Sequence, residues 1–392
     1  MSKTRKYLIV FAACMVAVSS SYAQYHLSPV AAEFMADYGF TTGQYASLMS
    51  APLIPNIILC ILAGMMIDRY GIKKILLGGT ILSAAGICCR IYAGSYLLFL
   101  VCMIVAGIAN AFLNASSSKL FGSYFGAAGA SIAMGVLCAA TQLSTAAAVG
   151  SSAMLSDYHN SFYIAALIAV LTVVVWGTFM KDPKQERTEA EKVSISACIG
   201  TVVKSRRIWL IAVVLICIMV TTVAVTSFLP MALATRGIDE VAAGGYTSLM
   251  TVGNVIGALV GPLMAVKLKN TRLVMEIFAV LAGFGVAFAW LVPGQWLMAA
   301  GLFVTGLSMG ALMPLTVPLP MRLPEIGAKY AATANGFVAT IEMIAASFVP
   351  SYVLVPVCGD NMRMFFGICG AFYVVAIVAI RLLPNFEGMD VK

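Results

Sequence analysis

The sequence predicts an all-α polytopic membrane protein, with twelve transmembrane helices set out as two pseudo-symmetric halves of six. Three observations carry that prediction. Of 392 residues, 61% are apolar and 10% charged, with a mean hydropathy of +0.97; no water-soluble core needs such a composition, and a bilayer does. Twelve apolar windows, each of about twenty residues and so long enough to cross, alternate with short polar links. Features of the first six windows recur in the second six at one fixed offset.

Taken in order, the windows fall near 7–30, 43–66, 75–93, 97–118, 127–150 and 160–180, then near 208–231, 244–265, 273–292, 296–318, 330–351 and 362–383. The first imitates a secretory signal, with Lys3, Arg5 and Lys6 before an apolar run and Ser21-Tyr22-Ala23 as a cleavage-like site. Its run extends to Val30, long enough to span, so it reads as an uncleaved first helix. An even number of spans puts both termini on one side. All but Arg90, Arg236 and Arg363 of the 24 basic residues share that side, which the positive-inside rule makes cytoplasmic.

One segment breaks the composition. Residues 181–207 begin with the polar run KDPKQERTEAEK, a linker. Ile195, Cys198, Ile199 and Val202 then recur at helical spacing, which predicts a short helix along the membrane surface. The linker divides the chain into a half at 1–180 and a half at 208–392. Tyr45-Ala-Ser-Leu-Met-Ser50 returns as Tyr246-Thr-Ser-Leu-Met-Thr251, 201 residues on. The same offset maps Pro29 onto Pro230 and Gly135 onto Gly336. Such a duplication implies two halves related by an axis along the membrane normal, with a solute site between them.

The link between the second and third windows is the most informative run: Gly64-Met65-Met66-Ile67-Asp68-Arg69-Tyr70-Gly71-Ile72-Lys73-Lys74. Gly64 permits close helix packing, and Gly71 lets the chain reverse. Arg69, Lys73 and Lys74 hold the link inside. Asp68 adds nothing to that topology signal and needs another task. The run resembles the loop 2–3 motif of the major facilitator superfamily, G-x-x-x-D-R-x-G-R/K-R/K, and matches it at Gly64, Asp68, Arg69, Gly71, Lys73 and Lys74, departing at Ile72. The resemblance implies a transporter fold in which Asp68 faces the start of the eleventh span, where a helix N-terminus favours a carboxylate by about 0.3–2 kcal/mol. A solvated topogenic loop is the bland alternative.

Several classes lack support. A net charge of +8 would suggest nucleic acid in a soluble chain, but here the charge marks topology, and no nucleic-acid partner is expected. Ten cysteines without a C-x-x-C pair and only two histidines predict neither disulfide framework nor metal site. No G-x-x-x-x-G-K-[ST] run exists for ATP hydrolysis. No catalytic spacing stands out, so neither an enzyme nor a cofactor is expected.

Polar stripes mark candidate solute-facing residues. Gly107, Asn110, Asn114 and Ser117 share one face of the fourth span; Cys138, Thr141 and Thr145 share one of the fifth, with Gln142 beside them. A water-filled cavity wall and helix–helix glue at ~0.6 kcal/mol per bond stay open as readings. The first span offers Gln24 and Tyr25, its partner the seventh Thr222 and Thr226; His26 reads as wetted near the outer end. Resemblance to the superfamily places spans one, four, seven and ten around a cavity. Gly253, Gly257 and Gly261 form a small-residue ladder best read as packing. Glu342 lies about twelve residues into the eleventh span, where translocon scales charge roughly 2.5–3.5 kcal/mol for an ionised residue such as Asp. It reads as a proton carrier or as counter-charge for a cationic solute, against a structural acid bonded between helices.

Lys119-Leu120-Phe121 resembles the K-W-F-P-x-x-R-G ending of the fourth span in organic-anion members, without the proline and later basic residues. The fifth span lacks the G-P-x-x-G-G antiporter motif of drug exporters, and no sugar-porter motif follows the sixth. The expected protein is a secondary active transporter for a small solute, working by alternating access and proton coupling. Its setting is a bacterial inner membrane, with both termini cytoplasmic, as a monomer. An uncoupled facilitator, a multidrug antiporter and a non-transporting sensor or receptor on the same fold are the alternatives.

Overall fold

A computed structural model describes residues 3–28, 30–155, 157, 159–180, 195–238, 240–359 and 361–384. Without water in the hydrocarbon, every backbone polar group must be paired within its own segment, and helices do this. Among the described residues, twelve helices are long and apolar enough to cross: Lys6–Tyr25, Ser47–Tyr70, Ile72–Tyr92, Tyr96–Gly126, Gly129–Ala148 and His159–Phe179 in the first half of the chain. Arg206–Leu229, Ala242–Leu268, Thr271–Leu291, Gln295–Thr316, Lys329–Phe348 and Met362–Leu382 follow in the second. They are called spans one to twelve. The chain is a multi-pass integral membrane protein, all-α among the described residues.

Local chemistry sets the span ends. Ser95, Ser205, Asn270 and Asn361 cap spans four, seven, nine and twelve, each side-chain oxygen accepting a backbone N–H of the first turn. Pro52 sits in a 3-10 turn at Ala51–Leu53, which interrupts the start of span two. Gly71, at φ 92°, is the only residue between the helix ending at Tyr70 and the next at Ile72, a backbone conformation that a side chain would strain. Spans four and five join without a loop, the helix being broken at Gly126 with φ 66°. A helix runs over Ile195–Lys204, where a short one was expected. Residues 181–194 of the linker lie outside the described residues, as do Pro29 and Asp360.

Two compact units emerge. One comprises Met1–Tyr124, Ala140–Gly200 and Ala328–Thr340; the other Phe125–Ala139, Thr201–Gly327 and Ile341–Lys392. The first therefore includes the start of span eleven, and the second includes the start of span five. The repeated glycines show why. In the first unit, a Cβ on Gly336 would strike the Cys60 carbonyl of span two. In the second, a Cβ on Gly135 would strike the Ala258 carbonyl of span eight. The glycine ladder of span eight is packing: Gly253 and Gly257 lie against the carbonyls of Phe303 and Leu307 in span ten, and Gly261 against Ala311. Gly306 and Gly310 of span ten lie in turn against Met250 and Asn254. Close backbone approach of this kind replaces the hydrophobic effect, which lipid tails cancel.

The core of the first unit includes Tyr22, Ala23, Ala84, Ile87, Ala165 and Ala169. At one end, an aromatic cluster gathers Phe34, Phe99 and Phe162 with Tyr38 and Phe40. Phe34 and Phe99 meet edge to face at 5.4 Å between ring centroids, an arrangement their quadrupoles favour.

Candidate functional site

The loop motif builds a buried charged cluster in the first unit. Span two ends on Asp68, and its carboxylate meets Lys119 of span four: Nζ donates to Oδ1 at 2.9 Å, with the two side chains 5% and 2% exposed. The second oxygen accepts from span eleven, where the backbone N–H and hydroxyl of Thr333 donate at 2.9 and 2.7 Å. Asp68 thus does face span eleven, but not the first turn of its helix, which begins at Gly327. Its partners are one ammonium and one threonine, so a local ion pair supplies what a helix dipole was expected to supply. Gly64, one turn back, makes the approach feasible, because a Cβ there would collide with the Ala332 carbonyl. Arg69 and Lys74 are exposed, Arg69 lying over the Tyr70 ring at 5.1 Å. The carbonyl of Lys73 accepts from the indole of Trp176 at 3.3 Å, tying the link to span six.

A polar seam continues from this cluster along spans two, four and eleven. Asn114 Nδ2 donates to Asn56 Oδ1 at 2.8 Å. Asn335 Nδ2 donates to the Asn114 carbonyl and to Ser117 Oγ, both at 2.9 Å. The stripe on span four therefore divides. Gly107 packs against Pro52, Asn114 and Ser117 bond neighbouring helices, and Asn110 lines a small cavity of ≈ 10 Å³ with Gln24, Ser20 and Met103. That volume is near the minimum for one water. Gln24 also donates to the Met49 carbonyl at 2.9 Å, while Tyr25 is exposed.

The remaining stripe residues are only partly covered. Thr141 and Gln142 of span five are half-buried, and the Thr141 carbonyl accepts from Thr145 Oγ1 at 3.1 Å. On span seven, Thr222 donates to the Ile218 carbonyl at 2.7 Å, and Thr226, which is exposed, to the Thr222 carbonyl at 2.6 Å. Both hydroxyls thus bond back along their own helix.

Two buried groups stand apart. Arg90 of span three is 1% exposed. Its Nη1 donates to the Ala23 carbonyl at 2.6 Å, Nη2 to His26 Nε2 at 2.8 Å, and the guanidinium lies over Phe162 at 5.1 Å. Since arginine has no acceptor, His26 Nε2 must accept, which leaves the ring neutral with its proton on Nδ1, donated to Ser161 Oγ at 2.7 Å. His26 is therefore fully buried in a network and not wetted. Glu342 of span eleven lies in the second unit, 4% exposed, with Oε2 lacking any partner among the described residues. No described residue gives Glu342 a hydrogen bond or an ion pair.

Lys119, Asn56 and Arg90 were not singled out as site residues by sequence. The signal available for Lys119 was its place in the Lys119-Leu120-Phe121 run at the inner end of the fourth span; nothing in spacing marks Asn56.

Twelve spans, a tight loop clamped by a buried ion pair and, inside a span, an acid with no partner among the described residues define a polytopic membrane protein. The Major Facilitator Superfamily model matches residues 11–350, and the chain belongs to that superfamily. It is similar to the 2-nitroimidazole transporter of Escherichia coli, 24% identical over 327 residues that cover 80% of this chain and 79% of that protein. A second relative is the probable sulfoacetate transporter SauU of Cupriavidus necator, 24% identical over 364 residues, 86% of this chain and 84% of that one. Among solved structures, the fold resembles the E. coli fucose:proton symporter FucP with a TM-score of 0.79 at 17% identity, covering 95% of this chain and 97% of that one. The protein is a transporter of small solutes.

Proposed function

We propose that this chain is a secondary active transporter that moves its solute by alternating access, coupled to protons. Glu342 is the observation that carries the reading. A carboxylate taken out of water without a partner is among the most unfavourable groups a membrane helix can hold. A carboxyl group that alternates between neutral and charged escapes that penalty, provided each charged interval meets water or a cation. Alternating exposure to the two sides would supply the water.

In this reading the halves at 1–180 and 208–392 rock about the solute, with the linker between them. Gln24, Tyr25, Asn110, Thr141, Gln142, Thr222 and Thr226 face the solute at some stage of the cycle. Asn114, with Asp68 and the loop motif, holds the conformation described above. The setting is a bacterial inner membrane, with the termini cytoplasmic and the protein a monomer. Support for a proton as partner comes also from FucP, a fucose:proton symporter, and from XylE, a proton:xylose symporter of the same fold, with a TM-score of 0.69.

A solute library screened for thermal stabilisation of the purified protein would identify a cargo, with 2-nitroimidazole and sulfoacetate as first members. A ligand at 100 times its Kd adds ~2.7 kcal/mol. Uptake of that cargo into proteoliposomes, with and without an imposed pH gradient, then tests the coupling. Wild-type protein is expected to accumulate solute only with the gradient. Glu342→Gln is expected to lose accumulation and keep exchange of labelled for unlabelled solute. Indifference of the wild type to the gradient would make the protein an uncoupled facilitator, and binding without flux would make it a sensor.

A further inference from the structure

Unit two carries a cavity that the transport reading leaves unused. It lies where span seven ends, span nine ends and span twelve begins, away from the ends that bear Arg272 and Arg381. Its volume is ≈ 490 Å³, and its lining includes Thr235, Arg236, Trp290, Leu291, Asn361 and Arg363. Small-molecule sites typically fall between about 300 and 1,000 Å³.

Two guanidinium groups share this cavity. Arg236 is held in place by neutral acceptors: Nη1 donates to the carbonyls of Trp290 and Val292, and Nη2 to Val292 at 3.4 Å. Its charge is oriented, and no described residue neutralises it. Arg363 stands in the first turn of the helix Met362–Leu382 and makes no hydrogen bond or ion pair with any described residue. Neither side chain meets a carboxylate among the described residues, which exclude Asp239 and Asp360.

Both arginines are placed against the usual rules. A cation in the first turn opposes the helix dipole. On the expected orientation, Arg236 and Arg363 are also two of the three basic residues that fall outside, against the positive-inside bias. Both line one cavity, and no described carboxylate screens their charge there. Trp290 adds a further orphan: it is 3% exposed and its indole N–H has no acceptor among the described residues.

We propose that this cavity binds a phosphate-type oxyanion between Arg236 and Arg363. The guanidinium fork matches such an oxyanion in shape and charge, and the adjoining helix N-terminus favours it further. A bare phosphate leaves much of the volume empty, so the natural ligand carries the oxyanion on a larger body: a soluble organic phosphate or a phospholipid headgroup. The site is independent of the transport reading, because none of its residues is assigned there to the solute.

The test uses full-length protein in lipid nanodiscs, read by the midpoint of thermal unfolding. In one arm, nanodiscs of neutral lipid are titrated with sodium phosphate against sodium chloride of equal ionic strength. In the other, phosphatidylglycerol replaces part of the neutral lipid and no phosphate is added. At least one arm should raise the midpoint of the wild type and of Lys267→Gln, an exposed cation elsewhere in the unit. Arg363→Gln should need about tenfold more phosphate, or lose the lipid-dependent rise, as expected for one charge-assisted bond. Its side chain has no partner among the described residues, so the variant should fold normally. A rise in the first arm identifies a soluble source, and a rise confined to the second a headgroup. No rise in either arm, or a rise that Arg363→Gln keeps in full, overturns the proposal.

Discussion

Asp68 shows how a single contact changes an expectation. In a solvated basic loop, an acid could be neutralised at little structural cost. Here it is the counter-charge of Lys119, and both are buried. Asp68→Asn leaves a buried ammonium without a partner, and removing one member of such a pair typically costs about 3–5 kcal/mol. The variant is therefore expected to unfold at a distinctly lower temperature than wild type. Lys119→Met in the same chain should recover much of the loss, because a buried ion pair replaced by apolar groups is often neutral. Unfolding midpoints of the two single variants and the double variant form a cycle that isolates the pair; additive losses would show that the two residues are not coupled. Asp68 was legible because the loop motif surrounds it, and Glu342 because an acid near mid-span is conspicuous. The pairings of Lys119, Asn56 and Arg90 were not, since Asp68, Asn114 and His26 lie 51, 58 and 64 residues from them. Sequence spacing reports which residues share a helix face, not which face meets which.

At the scale of elements, spans two and eleven are held together by missing side chains as much as by the polar seam. Gly64 faces Ala332, and Gly336 faces Cys60, so the backbones run antiparallel at close range within the first unit. Gly336→Val would force them apart. Overpacking of this kind costs about 1–3 kcal/mol, and the unfolding midpoint should fall accordingly. Gly78→Val is the control, because a Cβ at Gly78 meets nothing within 4 Å. Equal midpoints for the two variants would remove the glycine contact from the account. The helices themselves were legible from apolar length alone, since lipid leaves a chain no other way to pair its backbone. Less legible were the joints. Span one stops at Tyr25 and not near Val30, because the chain turns there before a short helix at Ala31–Tyr38. Span four runs to Gly126 and not to 118, with the helix broken at one glycine of positive φ that no polar loop announces.

For the whole molecule, the remaining question is which way it faces. In the second unit, Arg207 pairs with Glu325, and Glu276 pairs with both Arg272 and Arg381, all near the span ends that follow or precede the linker side. Arg236 and Arg363 lie at the opposite ends. The basic excess therefore sits at one end of the unit, and the positive-inside rule assigns that end to the cytoplasm. Cysteine labelling with a membrane-impermeant maleimide can decide the matter. Cys89 is exposed, so it is first replaced by alanine to lower the background. Arg187→Cys in the linker is then expected to react only after cells are permeabilised. Asp157→Cys, at an exposed position between spans five and six, should react in intact cells. The reverse pattern would invert the protein, putting the basic ends outside. Reaction of both from the same side would be a stronger refutation, because residues 157 and 187 are separated by span six alone, and that helix would then not cross the membrane.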